Sequence, residues 1–237
     1  MLYYCSGKLP AKRVHRHLWT WPKSHLVAIT GAGISVESGL PTVDDMVAGV
    51  PLRSLFQPSI WREQPLEAFH AFRVIAREWQ RKRPNRAHLA LAQAEIPIIT
   101  QNIDGLHRAA GSTRVIELHG NLRELRCDAC GGIFQSELAW REQLPKCPTC
   151  GELLRPGFVL EGEEVRHIAR ALDWVTEARG LLVVGTELQM TPVRELYEVA
   201  RRRNVPIAWV RDHAEDWVPY LLGQEGGSDS LFCPGEV

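Results

Sequence analysis

Four short apolar runs, each broken at once by glycine or a polar group, constrain this chain more than any other feature. They are His25 to Thr30 (HLVAIT) before GAG, Ile96 to Thr100 (IPIIT) before QNID, Val115 to Leu118 (VIEL) before HG, and Gly180 to Gly185 (GLLVVG) before TE. Runs of this length bounded by turn residues read as buried strands. Between them, apolar residues recur at helical spacing at Leu66, Phe69, Phe72, Ile75, Ala76 and Trp79, until Pro84 stops the pattern. Asn85 can cap a further helix over His88 to Ala94. Ile168 to Ala178 and Val193 to Arg202 read as helices, and Pro206 to Val210 (PIAWV) as another strand. Apolar strands alternating with helices predict a parallel sheet covered on both faces. Ligands bind such sheets beyond the carboxyl ends of the strands. That rule lines up Gly31, Gln101, His119 and Gly185 along one crevice.

The chain's 237 residues, 45% of them hydrophobic, suit one main domain with a small insert. Formal net charge is zero, which argues against broad electrostatic binding to nucleic acid or an anionic membrane. The run Arg81-Lys82-Arg83 reads as a solvated helix end. No apolar run approaches the roughly 18 to 20 residues that span a bilayer, and residues 1–24 read as a partly amphipathic lead-in without the apolar core of a secretory signal. The expected compartment is cytoplasmic. From Gly223 onward the tail is rich in Gly, Ser and acid, and is expected to be mobile.

Residues 121–156 differ from the rest. Cys127-Asp-Ala-Cys130 and Cys147-Pro-Thr-Cys150 are separated by 16 residues, the spacing of a structural zinc site with Cys127, Cys130, Cys147 and Cys150 as ligands. Four thiolates leave no open position, so such an ion folds the module rather than doing chemistry. Cys5 and Cys233 lie outside the pattern and read as free. The expected class is therefore α/β: a Rossmann-like parallel sheet with helices on both faces, spanning 1–120 and 157–237, plus a small inserted zinc-binding module at 121–156.

The first glycine turn, Gly31-Ala32-Gly33, follows a strand, and its backbone N–H groups can approach a phosphate at the start of a helix. It is not a dehydrogenase fingerprint. The third glycine of GxGxxG would fall at Val36, and no carboxylate stands about 20 residues beyond Gly33 to hold a ribose.

GAGISVESGLP (31–41), PNRAH (84–88), TQNIDGLHRAAG (100–111), ELHGN (117–121), the two CxxC pairs, LRPGFVLEGE (154–163) and VVGTELQMTP (183–192) occur in the order seen in sirtuins, which the chain resembles over about residues 25–212. The resemblance implies a large dinucleotide-binding domain, a small zinc-bearing domain, and NAD in the cleft between them. It implies removal of acyl groups from lysine side chains of a protein or peptide: the acyl oxygen attacks the nicotinamide ribose carbon as nicotinamide leaves, and a histidine, at the position of His119, acts as base on a ribose hydroxyl. An imidazole suits that task because its pKa lies near neutrality. By the same resemblance Asn102 and Asp104 bind nicotinamide and ribose. Gln101 and Ile103 line the ribose site. Gly31, Ala32, Gly33, Gly185 and Thr186 hold the phosphates and adenosine, with Arg211 near the adenine-side ribose. Val159 and Leu160 belong to the run that pairs with substrate peptide. His88 and His107 read as packed or surface histidines.

The sequence also departs from the family pattern. Val43 stands where an aromatic is usual, Asp44 where an arginine of the cofactor loop is usual, Glu161 where an aromatic precedes Gly-Glu, and Glu187 where serine follows Gly-Thr. Arg211 stands where an asparagine is common. These changes keep two alternatives to deacylation open: NAD cleavage toward water or an ADP-ribose acceptor, and a non-catalytic NAD or ADP-ribose sensor.

Overall fold

The computed structural model describes residues 2–7, 25–42, 45–47 and 49–224. In chain order its strands are β1 (Leu2–Cys5), β2 (Leu26–Thr30), β3 (Met46–Val47), β4 (Val50–Pro51), β5 (Ile98–Thr100), β6 (Val115–Glu117), β7 (Glu124–Arg126), β8 (Ile133–Gln135), β9 (Arg155–Pro156), β10 (Gly180–Val184) and β11 (Ile207–Val210). The α-helices are α1 (Pro58–Glu63), α2 (Pro65–Trp79), α3 (Arg86–Gln93), α4 (Leu106–Ala109), α5 (Ile168–Glu177), α6 (Val193–Arg202) and α7 (Ala214–Leu221).

Six strands form one parallel sheet in the order β1-β11-β10-β2-β5-β6. Side chains alternate across a strand, and each strand feeds two cores. Val27, Ile29, Leu181, Val183, Ile207 and Trp209 face α5 and α6. Ala28, Leu182, Val184, Ala208 and Val210 face α3 and α7. Burial on both faces explains why the strands read as continuous apolar runs rather than alternating ones. Asn85 caps α3 as expected, its side chain accepting from the N–H groups of Ala87 and His88, and the helix begins at Arg86 rather than His88.

The strands that follow β2 in the chain go to opposite sides of it. β5 and β6 build outward on one side, whereas β10 and β11 build on the other. The connections therefore reverse direction between β2 and β10, the place where open α/β sheets bind ligands.

The cysteine-bearing segment forms its own antiparallel sheet, β8-β7-β9. Its apolar residues Leu125, Ala139, Leu154 and Phe158 share one cluster with Leu52, Leu55, Trp61, Phe69, Phe72 and Trp79. Trp61 packs edge-on against both Phe69 and Phe158. The module is thus completed by α1 and α2, which lie about fifty residues away in sequence.

Several elements escaped the sequence pattern, among them α1, α4, β1 and α7. Residues 2–5, read as part of a partly amphipathic lead-in, form edge strand β1, and α7 forms despite Pro219 inside it. Val43, Asp44, Cys233 and the tail beyond Gln224 lie outside the described residues.

Candidate active site

Strand register places the candidate site. Thr30 is level with Val184 and Thr100, Thr100 with Glu117, and Val184 with Val210. The next residues carry the ladder one step further: Gly31 N–H donates to Val184 O at 3.0 Å, Gln101 N–H to Thr30 O at 2.9 Å, and Gly185 N–H to Val210 O at 2.8 Å. The residues expected along one crevice therefore form one row at the carboxyl edge.

At the switch point the two glycine turns pack backbone to backbone. Gly33 N–H donates to Gly185 O at 2.9 Å, and a Cβ on Gly33 would lie 2.5 Å from Gly185 Cα. Gly185 itself sits at φ +61°, the left-handed region that favours glycine. The sequence suggests that this turn lets backbone N–H groups approach a phosphate; those of Gly31 and Gly33 are bonded to Val184 and Gly185. The Ala32 N–H has no partner among the described residues, and Ala32 is exposed. The segment after it is a pair of 3₁₀ turns, Ala32–Ile34 and Val36–Ser38, rather than an α-helix.

On the β5 side, Asn102 Nδ2 donates to Gly31 O and to Ser35 Oγ, both at 3.1 Å, and Ser35 Oγ donates to Asp104 Oδ2 at 2.8 Å. Asp104 also accepts from Leu106 N–H at 2.8 Å. Burial pushes the Asp104 carboxyl above its ordinary range, and the two donors hold it back. Ile103 is buried in the apolar cluster of the cysteine module.

Behind this layer lie His88 and His107, both buried, with rings 4.8 Å apart. His88 Nδ1 bonds Asn85 Oδ1 at 2.9 Å, so Nδ1 carries the proton, and its Nε2 lies 3.4 Å from Ser35 Oγ. The Thr30 hydroxyl donates to Thr100 at 2.8 Å, so His107 Nε2–H donates to Thr30, also at 2.8 Å. Burial lowers His88 to about 4 and His107 well below its ordinary value. Ser35, Asn85, His88 and His107 thus form the polar floor of the site. Sequence reasoning missed that role, because a lone histidine carries no mark of its partner. The clue available was that SVES and PNRAH both adjoin glycine-turn or helix-cap positions.

His119 Nδ1 lies 3.0 Å from Gln101 O. A carbonyl only accepts, so Nδ1 bears the proton and Nε2 keeps its lone pair, with no partner among the described residues. Burial lowers the His119 pKa, opposed by the Gln101 carbonyl. The imidazole is therefore neutral at pH 7 and able to take a proton. Gln101 Nε2 donates to Thr186 Oγ1 at 2.7 Å, joining the β5 and β10 edges.

Val159 N–H donates to His119 O at 2.9 Å, setting Val159 beside the His119 backbone. Leu160 points into the apolar cluster, so only its backbone is placed at this edge. Glu161 is exposed and accepts from Gln57 Nε2, while its N–H donates to Phe56 O at 2.7 Å. At the far side Arg211 pairs with Glu187 at 3.8 Å and lies over the Tyr4 ring at 5.3 Å.

The thiol sulfurs of Cys127, Cys130, Cys147 and Cys150 all lie within 4.8 Å of one another. Ligands about 2.3 Å from a tetrahedral ion stand about 3.8 Å apart, and the Cys127–Cys150 and Cys130–Cys147 sulfur separations are 3.4 and 3.6 Å. Each CxxC closes as a tight turn: Gly131 N–H bonds Cys127 O and Gly151 N–H bonds Cys147 O, both at 2.9 Å. The four thiols fit one structural zinc ion.

A sequence profile of the Sir2 family matches residues 31–192. The chain belongs to the Sir2 family. Among its relatives, an NAD-dependent protein deacetylase of Caldivirga maquilingensis is 40% identical over 188 residues, covering 71% of this chain and 70% of that protein. An NAD-dependent protein deacylase of Pyrococcus furiosus is 37% identical over 220 residues, covering 86% and 79%. The crystal structure of a Sir2 homologue–NAD complex superposes with a TM-score of 0.80 at 32% identity, covering 91% of this chain and 96% of that one.

The Sir2 architecture gives the row of site residues its meaning. Two glycine turns meet at the switch point, and there the Ala32 N–H is unspent among the described residues. Hydroxyl, amide, carboxylate and imidazole groups then gather on the β5 and β6 side. Among the described residues, no helix is long and apolar enough to cross a membrane.

Proposed function

We propose that this protein is an NAD-dependent protein-lysine deacylase that releases nicotinamide and O-acyl-ADP-ribose. The observation that carries the reading is His119: its proton is fixed on Nδ1 by Gln101 O, which leaves Nε2 its lone pair, and its backbone carbonyl is joined to Val159 N–H. NAD supplies an activated ribose carbon as nicotinamide departs. This chain's residues do the rest. Asn102, Gln101 and Asp104 orient the nicotinamide ribose, with Ser35 fixing the two side chains it bonds. His119 Nε2 takes a proton from a ribose hydroxyl. The run at Val159 and Leu160, held beside the His119 backbone, is where the acyl-lysine peptide would pass, with the Val159 carbonyl as its backbone acceptor.

The apolar clusters support two units, a sheet domain and a smaller one made of the 121–156 module together with α1 and α2. NAD and peptide would then meet where Val159 joins His119.

A panel of acyl-lysine peptides incubated with NAD, with nicotinamide and O-acyl-ADP-ribose followed by mass spectrometry, tests the reading beside His119→Ala. Product from wild type and none from the variant supports it. Nicotinamide release that is independent of every peptide would replace it with NAD hydrolysis.

A further inference from the structure

Nicotinamide chemistry occupies the β5 and β6 side of the switch point, and the diphosphate site lies at the switch point itself. An extended dinucleotide therefore lays its adenosine half over the ends of β10 and β11. Dinucleotide sites ordinarily place a carboxylate on the adenosine 2′-hydroxyl, or an arginine where a 2′-phosphate is taken. The usual sequence position for that carboxylate, about 20 residues beyond Gly33, holds none. At the β10 and β11 ends the structure supplies both groups together. Glu187 follows Thr186 directly, and Thr186 is fixed by Gln101 Nε2 and by Trp209 Nε1, which donates to its carbonyl at 2.9 Å. Arg211 is the first residue after β11; its N–H bonds Cys5 O at 3.1 Å and its guanidinium rests over Tyr4. The two charges meet at 3.8 Å, and both side chains remain about half exposed, at 55% for Glu187 and 51% for Arg211. At 3.8 Å, beyond hydrogen-bond length, the pair leaves the carboxylate oxygens free to accept from a ligand.

We infer that Glu187 is the ribose-reading carboxylate of this protein, supplied from β10, and that it sets discrimination against a 2′-phosphorylated dinucleotide, with Arg211 as its positioning partner. The inference rests on the reading that the cleft takes NAD. Glu187 accepts from the 2′- and 3′-hydroxyls and repels a 2′-phosphate. Arg211 holds the carboxylate in place and is screened from phosphate by it. Removing the carboxylate leaves a free guanidinium beside the 2′ position.

Isothermal titration of the zinc-loaded full chain with ADP-ribose and with ADP-ribose 2′-phosphate tests this without catalysis. Wild type should bind ADP-ribose at least tenfold more tightly than its 2′-phosphate. Glu187→Ser and Glu187→Gln should narrow that ratio by tenfold or more, chiefly by gaining affinity for the phosphorylated ligand. Adding Arg211→Ala to Glu187→Ser should remove the gain. A ratio unchanged in both Glu187 variants, equal binding of the two ligands by wild type, or no binding of either overturns the inference. An absence of deacylation with the binding ratio intact would overturn only the activity.

Discussion

Asn85 offers the sharpest test of how the site is held. One buried side chain makes four hydrogen bonds: it accepts from Ala87 N–H at 3.0 Å, His88 N–H at 3.3 Å and His88 Nδ1–H at 2.9 Å, and its Nδ2 donates to Ile34 O at 2.7 Å. It therefore joins the first turn of α3 to the glycine turn after β2. Replacing an N-cap asparagine by alanine costs about 1 kcal/mol. Leaving the buried Ile34 carbonyl unpaired costs about 1–2 kcal/mol, and loss of the His88 bond about 1 kcal/mol more. Asn85→Ala should thus lose about 3–4 kcal/mol of a total that is typically about 5–15 kcal/mol. Asn85→Ser keeps an accepting oxygen for the cap but is too short to reach Ile34, and should recover only about 1 kcal/mol of the loss. Equilibrium urea denaturation of the zinc-loaded protein reads both. At an m-value of about 2 kcal/mol/M the alanine midpoint falls by about 1.5–2 M. Because Ile34 follows Gly33, weakened NAD binding should accompany the loss. An alanine variant within about 1 kcal/mol of wild type, or serine and alanine variants with the same midpoint, would refute the reasoning.

His119→Ala should cut turnover by about 10²–10⁴-fold while leaving ADP-ribose binding in place; with the His119 pKa lowered by burial, wild-type kcat/KM should be flat near neutrality and fall as pH drops below a value under 6.5, and a fall beginning well above pH 7 would show another group to be the base. Both buried histidines of the floor have depressed pKa values, so the unfolded chain takes up their protons first: stability is full above about 6.5 and declines as pH falls toward 4. Urea midpoints at pH 7 and pH 5 check this in Asp104→Asn, which removes a carboxyl whose raised pKa works in the opposite sense, and equal midpoints would contradict it. Chelating zinc, or Cys147→Ser, should unfold the β7–β9 sheet and loosen α2, with which it shares a core, while the parallel sheet keeps its circular dichroism; unchanged proteolysis of residues 121–156 would argue against the metal site.

What the sequence revealed and what it hid divide along a physical line. Strands buried on both faces and amphipathic helices carry their period in the residues themselves, so β2, β5, β6, β10, β11 and α6 were legible. Strand β1 was not: Leu2–Cys5 is short and lies at an edge, and only its pairing with β11 makes it a strand. The module boundary was half legible, because cysteine spacing shows which residues meet a metal but not which distant helices cover their apolar side. In the site, TQNID and HG were visible as residues following strands. That the Gly33 N–H bonds Gly185, and that Ser35 ties Asn102 to Asp104, needed the register between strands separated by seventy or more positions.

The departures from the family pattern read differently once placed. Glu161 is answered by Gln57 and Glu187 by Arg211, each at the rim, while Asp44 lies outside the described residues. No hydrogen bond or ion pair found among the described residues joins either rim carboxylate to His119, Asn102 or Asp104. The centre reaches the rims instead by the Val159 N–H to His119 O bond, which is backbone alone, and by Gln101 to Thr186, one residue short of Glu187. The first survives any change of side chain, and the second uses no side chain at 161, 187 or 211. Residues 161, 187 and 211 can therefore change in charge, and with it in what they admit, without moving the atom that takes the proton. On that ground a carboxylate at position 187 or 161 is an argument about which ligand binds, and the chemistry must be judged on His119 and the network beneath it.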